Sequence, residues 1–84
     1  MSKYGKLLQQ VLRGTSDANI AFDDLCQLLL RVGFEERTHG SHHVFRKTSV
    51  KERVNLQREG DKAKAYQVRQ VRDVLISYEL EGEI

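Results

Sequence analysis

The stretch Phe34-Glu35-Glu36-Arg37-Thr38-His39-Gly40-Ser41-His42-His43-Val44-Phe45-Arg46-Lys47 decides the fold, because the hydrophobic period changes where it begins. Just before it, Leu25, Leu28, Leu29 and Val32 recur at i, i+3, i+4 and i+7, the stripe of an amphipathic helix. Gly33 then stands where a left-handed cap closes such a helix. Within the stretch, Phe34–Thr38 and His43–Lys47 are short runs of mixed polarity with β-branched and aromatic members, which read as strands. His39-Gly40-Ser41-His42 joins them as a tight hairpin, with Gly40 supplying the permissive backbone that such turns need.

Outward from this hairpin the same criteria parse the rest of the chain. Thr48–Glu52 is a looser connection to a third strand, Arg53–Gln57, in which Val54 and Leu56 alternate with Asn55 and Gln57. That alternation suits a sheet with one wet face and one face on helices, and Glu59-Gly60-Asp61 ends the strand. From Ala65 to Tyr78, Val68, Val71, Leu75 and Tyr78 share a helical stripe with Val74 beside it. Arg69 and Arg72 fall on that helix's other side, and Tyr66 at its start reads as a core residue. Upstream, Asp23 is placed to cap a helix Asp24–Val32, after a brief apolar step Ile20-Ala21-Phe22. A leading helix over residues 3–13 aligns Tyr4, Leu7, Leu8, Val11 and Leu12, and Gly14-Thr15-Ser16-Asp17 stops it. The expected class is α+β: α-β-β-β-α with an extra N-terminal helix, the three-stranded antiparallel sheet carrying its helices on one face.

Eighty-four residues, 39% hydrophobic and 31% charged, suit one small globular domain and lie outside the composition of disordered chains. The domain is expected to span 1–84, with a core over 20–78, the N-terminal helical extension in 1–19 and an acidic tail in 79–84. The single cysteine, Cys26, has no internal partner and sits among Leu25, Leu28, Leu29 and Leu30. It reads as a buried small hydrophobe without chemistry, in a protein of the reducing cytoplasm. No apolar run is long enough to cross a bilayer, and the N-terminus lacks a secretory apolar core, so no membrane association is expected. The net charge of +2 is unevenly spread: residues 37–72 hold ten basic against three acidic side chains, and both flanks are acidic. Such a basic middle suits either phosphate binding or a solvated charged face.

Asp24-Leu25, Leu28-Leu29, Val32-Gly33-Phe34 and Gly40-Ser41-His42-His43-Val44-Phe45 resemble, in order and spacing, the HicA-like toxins of bacterial type II toxin-antitoxin modules. The resemblance covers roughly residues 20–78. It extends to Val54-Asn55-Leu56-Gln57 and to Lys62-Ala63-Lys64-Ala65-Tyr66-Gln67-Val68-Arg69-Gln70-Val71-Arg72. It implies a double-stranded RNA-binding-domain-like fold, metal-independent cleavage of messenger RNA that inhibits translation, and neutralisation by a HicB-like antitoxin in a higher-order assembly. The family's functional histidine, directly after Gly-Ser, maps onto His42. Many members carry Pro-x-His on the third strand, where this chain has Asn55-Leu56-Gln57 and no proline.

Cleaving RNA through its own 2′-hydroxyl requires proton transfer, alignment of the phosphate and stabilisation of developing charge. Histidine titrates near cellular pH, so His42 is the candidate general base or acid. Gly40 lets RNA approach the turn, and Ser41 offers a hydroxyl to a phosphate oxygen. His43, Arg46, Lys47, Arg53, Lys62 and Lys64 complete the candidate RNA-binding set. Which of Arg46, Lys47 and Arg53 share the face of His42 depends on the hairpin register. His39, His42 and His43 lie within five residues and have no evident carboxylate or cysteine partner. They are poorly suited to a closed metal shell, so neither metal nor cofactor is expected. The competing readings are a non-catalytic RNA-binding module of the same fold and a structural adaptor using its basic face for protein contacts.

Overall fold

The computed structural model describes residues 3–83. Met1, Ser2 and Ile84, the ends of the expected domain, lie outside the described residues. Helix α1 (Lys3–Arg13) buries Leu7, Leu8 and Val11, with Tyr4 and Leu12 packed beside them, as their spacing requires. A 3-10 turn (Asp17–Asn19) leads to helix α2 (Phe22–Val32), which buries Leu25, Cys26, Leu28, Leu29 and Val32. Gly33 closes α2 in the left-handed region at φ 110°, its N–H reaching back to the last carbonyls of the helix. The expected Asp23 cap is not formed. The helix begins earlier, after Ala21, because the Phe22 N–H donates to the Asp61 carbonyl (3.0 Å) and Leu25 N–H bonds Ala21 O (3.0 Å). The Asp23 carboxylate is taken instead by Arg58 Nη2 at 2.7 Å.

The sheet is β1 (Glu35–His39), β2 (His42–Arg46), β3 (Val54–Glu59) and β4 (Lys62–Ala63), antiparallel throughout and in chain order. Three of these are the expected strands, shifted by a residue or two. In the first hairpin His39 is paired with His42, so Gly40-Ser41 is a two-residue loop, with Gly40 alone at positive φ (59°). That is the type II′ pattern, whose twist matches the strands. The fourth strand corrects the expected three-stranded sheet. Gly60-Asp61 does not end the third strand but turns it into β4, where Glu59 is paired with Lys62 and Arg58 with Ala63. Two residues carry no readable period. The apolar step at 20–22 covers that edge: Ala63 N–H donates to Ile20 O at 2.9 Å, and Ala21 bridges Lys62.

Helix α3 (Ala65–Ser77) packs Val68, Val71, Val74 and Leu75 into the same core as Phe45, Val54 and Leu56. Each fully buried Phe, Leu or Val contributes about 1.5–3 kcal/mol by leaving water. Its stripe also turns Gln67 inward (1% exposed), where the amide meets the main chain of Gln57. The Gln67 oxygen accepts from Gln57 N–H (3.0 Å) and its nitrogen donates to Gln57 O (3.1 Å), completing a ladder rung that the two-residue β4 is too short to provide. With Gln67 and Val74 inward, Tyr66 falls on the far side of the helix. It is 55% exposed, which corrects its assignment to the core. Arg72 is likewise not a free surface cation: Nη1 donates to both carboxylate oxygens of Asp17 (3.0 and 3.2 Å) and to Val11 O (3.2 Å). The segment after α3 is not a loose tail, since Glu79 (φ 54°) turns the chain into a 3-10 segment, Leu80–Glu83, that buries Leu80. The result is the expected α+β, double-stranded RNA-binding-domain-like α-β-β-β-α order with one short strand added.

Candidate functional site at the open face of the sheet

Side chains alternate across a strand, so the buried positions assign every other residue to a face. Phe45, Val54 and Leu56 point to the helices, which puts His42, Val44 and Arg46 of β2 on the opposite face, uncovered by any helix. Register partners share a face. Opposite His42 stand His39 on β1 and Gln57 on β3, opposite Val44 stand Arg37 and Asn55, and opposite Arg46 stands Glu35. Arg53, one residue before the buried Val54, continues this face by the same alternation. The open face therefore carries His39 and His42 side by side at the hairpin end, with Arg37, Arg46 and Arg53 along the strands.

His42 is exposed, and its Nδ1 lies 3.4 Å from Asn55 Oδ1. That contact is long for a hydrogen bond, but the acceptor favours the tautomer with its proton on Nδ1, which leaves the lone pair on Nε2. Ser41 is held next to it, its Oγ accepting from Gln57 Nε2 at 3.3 Å. Thus Gly40, Ser41 and His42 share one end of the face with Asn55 and Gln57. Sequence reasoning did not single out Asn55, Gln57, Arg37 or His39 as neighbours of His42. The signal was the register, which only the two-residue loop fixes.

His43 is turned the other way. Its Nδ1 pairs with Glu36 Oε2 at 2.6 Å and its ring packs edge-on against Phe22 (centroids 5.0 Å apart, 72° between planes), on the helix side of the sheet. Lys47 shares that side, with Nζ 2.7 Å from where a Cβ on Gly33 would stand. Lys62 is exposed on β4, and Lys64 is half-buried at the start of α3. The expected RNA-binding set is thus divided: Arg46, Arg53 and Lys62 lie with His42, whereas His43 and Lys47 do not.

Among the described residues, Cys26, Glu36 and His43 form a group whose ligating atoms all lie within 4.8 Å of one another. Burial, aided by Glu36 and Asp23, pushes the Cys26 thiol up to about 12, so it is a protonated neighbour and not a ready thiolate. The 2.6 Å contact between His43 and Glu36 is that of a hydrogen-bonded pair, shorter than two ligands of one ion would keep. The His43–Glu36 pair joins β2 to β1, and the His43 ring rests on Phe22 of α2.

No helix among the described residues is long and apolar enough to cross a membrane. No curated protein and no solved structure gives a match. A family model described as HicA toxin of bacterial toxin-antitoxin matches residues 22–75, from the first residue of α2 into α3, and so includes every strand and the His42 hairpin while leaving out α1. With more than half of its length matched, the chain belongs to the HicA toxin family of bacterial toxin-antitoxin systems.

Proposed function

We propose that this toxin is an endoribonuclease that cleaves messenger RNA without a metal ion and thereby inhibits translation, with His42 as its proton-transferring residue. The observation that carries the reading is the position of His42: exposed on a helix-free, cation-bearing sheet face, with a second imidazole, His39, directly opposite. In the reaction the RNA 2′-oxygen attacks the adjacent phosphorus, and the bond to the 5′-oxygen breaks. One group takes the 2′-hydroxyl proton and one gives a proton to the departing 5′-oxygen, leaving a 2′,3′-cyclic phosphate and a free 5′-hydroxyl. Imidazoles both take and give protons, which suits such a pair, each transfer being worth about 100- to 10,000-fold. Asn55 orients His42, Ser41 and the permissive Gly40 backbone meet the phosphate, and Arg37, Arg46, Arg53, Lys62 and Lys64 attract the RNA strand.

The same reading makes residues 1–84 one toxin domain acting in the cytoplasm. Its partner is a HicB-like antitoxin that covers the His42 face within a higher-order complex. All five β1 residues are exposed and, among the described residues, none pairs with their outer edge, which suits a strand-forming partner. Expression of the chain alone is expected to arrest growth with fragmentation of messenger RNA, and co-expression of the adjacent reading frame to relieve it. Growth arrest with intact messenger RNA and no effect of the neighbouring gene would contradict both proposals. The unpaired cations would serve a non-cutting RNA binder equally well, and that reading expects tight binding of RNA without any fragment.

A further inference from the structure

At the opposite end of β2 from His42, the loop between β2 and β3 encloses a cavity of 390 Å³. Four cations line it, Arg46, Lys47, Lys51 and Arg53, against two carboxylates, Glu35 and Glu52. None of the four cations forms an ion pair among the described residues, whereas Arg58 and Arg72 are neutralised by Asp23 and Asp17. Glu52 accepts a hydrogen bond from the Tyr78 hydroxyl at 2.5 Å at the rim, and four cations against two carboxylates leave the lining with a net charge of +2.

The rim of this cavity is built. Val50 N–H bonds Lys47 O at 2.9 Å, the Val50 side chain is anchored in the core at 7% exposure, and Tyr78 from the end of α3 accepts the Lys51 N–H at 3.3 Å. Holding like charges around one hollow costs repulsion that an anion would relieve. Arg46 and Arg53 also share the open face with His42, about 13 Å away at ~3.3 Å per residue of β2. The half-buried Val44 lies between them as an apolar surface for a sugar or base.

We infer that this cavity is a second phosphodiester subsite, which takes the backbone of single-stranded RNA a few nucleotides from the phosphate at His42. This deepens the ribonuclease reading and rests on it for the identity of the strand. The inference makes substrate length a determinant of recognition and gives Lys51 a role as a phosphate contact.

The test uses 2′-O-methyl oligouridylates of two, four and eight nucleotides, which lack the attacking hydroxyl and cannot be cut. Binding to the full chain is followed by fluorescence anisotropy over a range of salt concentrations. The octamer is expected to bind at least about tenfold tighter than the dimer. Lys51→Gln should reduce the slope of log affinity against log salt for the octamer by about 0.7, the loss of one single-strand phosphate contact. Lys6→Gln, the same charge change on α1, should leave that slope as it is. Equal affinities for dimer and octamer, an unchanged slope in Lys51→Gln, or an equal loss in Lys6→Gln would overturn the subsite. Because no bond is cleaved, these outcomes are independent of whether the chain is a ribonuclease.

Discussion

Replacing Arg72 by Met removes one half of an ion pair that fastens α1 and the 3-10 turn to α3. The Arg72 and Asp17 side chains are only 18% and 13% exposed, and the same guanidinium nitrogen also satisfies Val11 O at the end of α1. Gly14 makes room for this, since a Cβ there would meet Arg72 Nη1 at 2.9 Å. Truncating one partner of a fully buried pair costs about 3–5 kcal/mol, because the remaining charge is stranded. Water still reaches this pair, which lowers the expected cost to about 2–3 kcal/mol. For a domain of this size, at ~4–8 °C per kcal/mol, the melting temperature should fall by about 8–24 °C. Urea titration followed by far-ultraviolet circular dichroism measures the loss, and Asp17→Asn in the Arg72→Met background should recover about 1–2 kcal/mol of it. A cost below about 0.5 kcal/mol for Arg72→Met would reduce the contact to an ordinary surface pair.

Gln67→Leu should destabilise the fold by about 2–3 kcal/mol, because it strands the buried N–H and C=O of Gln57, and hydrogen exchange at Gln57 should quicken. Gly40→Ala meets no atom, so its cost of about 1 kcal/mol is purely the left-handed backbone, whereas Glu79→Gly should stabilise by a similar amount; thermal melts of the two variants check both signs. Cys26 should react with iodoacetamide at pH 8.5 more than about tenfold faster in urea than in the native state. Its thiol is raised in the fold, so the stability it contributes is complete below its ordinary 9.0 and is lost as pH rises towards about 12, where the unfolded chain releases a proton that the folded one retains.

The hairpin was legible because a glycine between two alternating runs has few other meanings, and the helices because Leu25, Leu28, Leu29 and Val32, or Val68, Val71 and Leu75, leave little choice of face. β4 was not, since two residues cannot display a period and its support comes from main-chain bonds to the segment at 20–22. Arg72 read as a surface cation because its partner stands 55 residues away. Tyr66 read as core because aromatic side chains usually outcompete amides for burial; here the open edge of β3 demanded the Gln67 amide instead. The site turned on parity. His42 and His43 are neighbours in sequence, yet one faces open solvent and the other faces α2, and a loop one residue longer would exchange them. Asn55 and Gln57 became visible as partners of His42 only once that register was known.

Whether His42 moves a proton during RNA cleavage is open to direct measurement. Purified wild-type chain and His42→Ala should be compared on the same messenger RNA in the presence of a chelator, with circular dichroism showing that both are folded and binding at low salt showing that both retain RNA. Fragments ending in 2′,3′-cyclic phosphate are expected from the wild type, and at least about a 100-fold loss of rate in His42→Ala, with little change in affinity. Cleavage by His42→Ala at the wild-type rate, or none by the wild type, would contradict a proton-transferring His42.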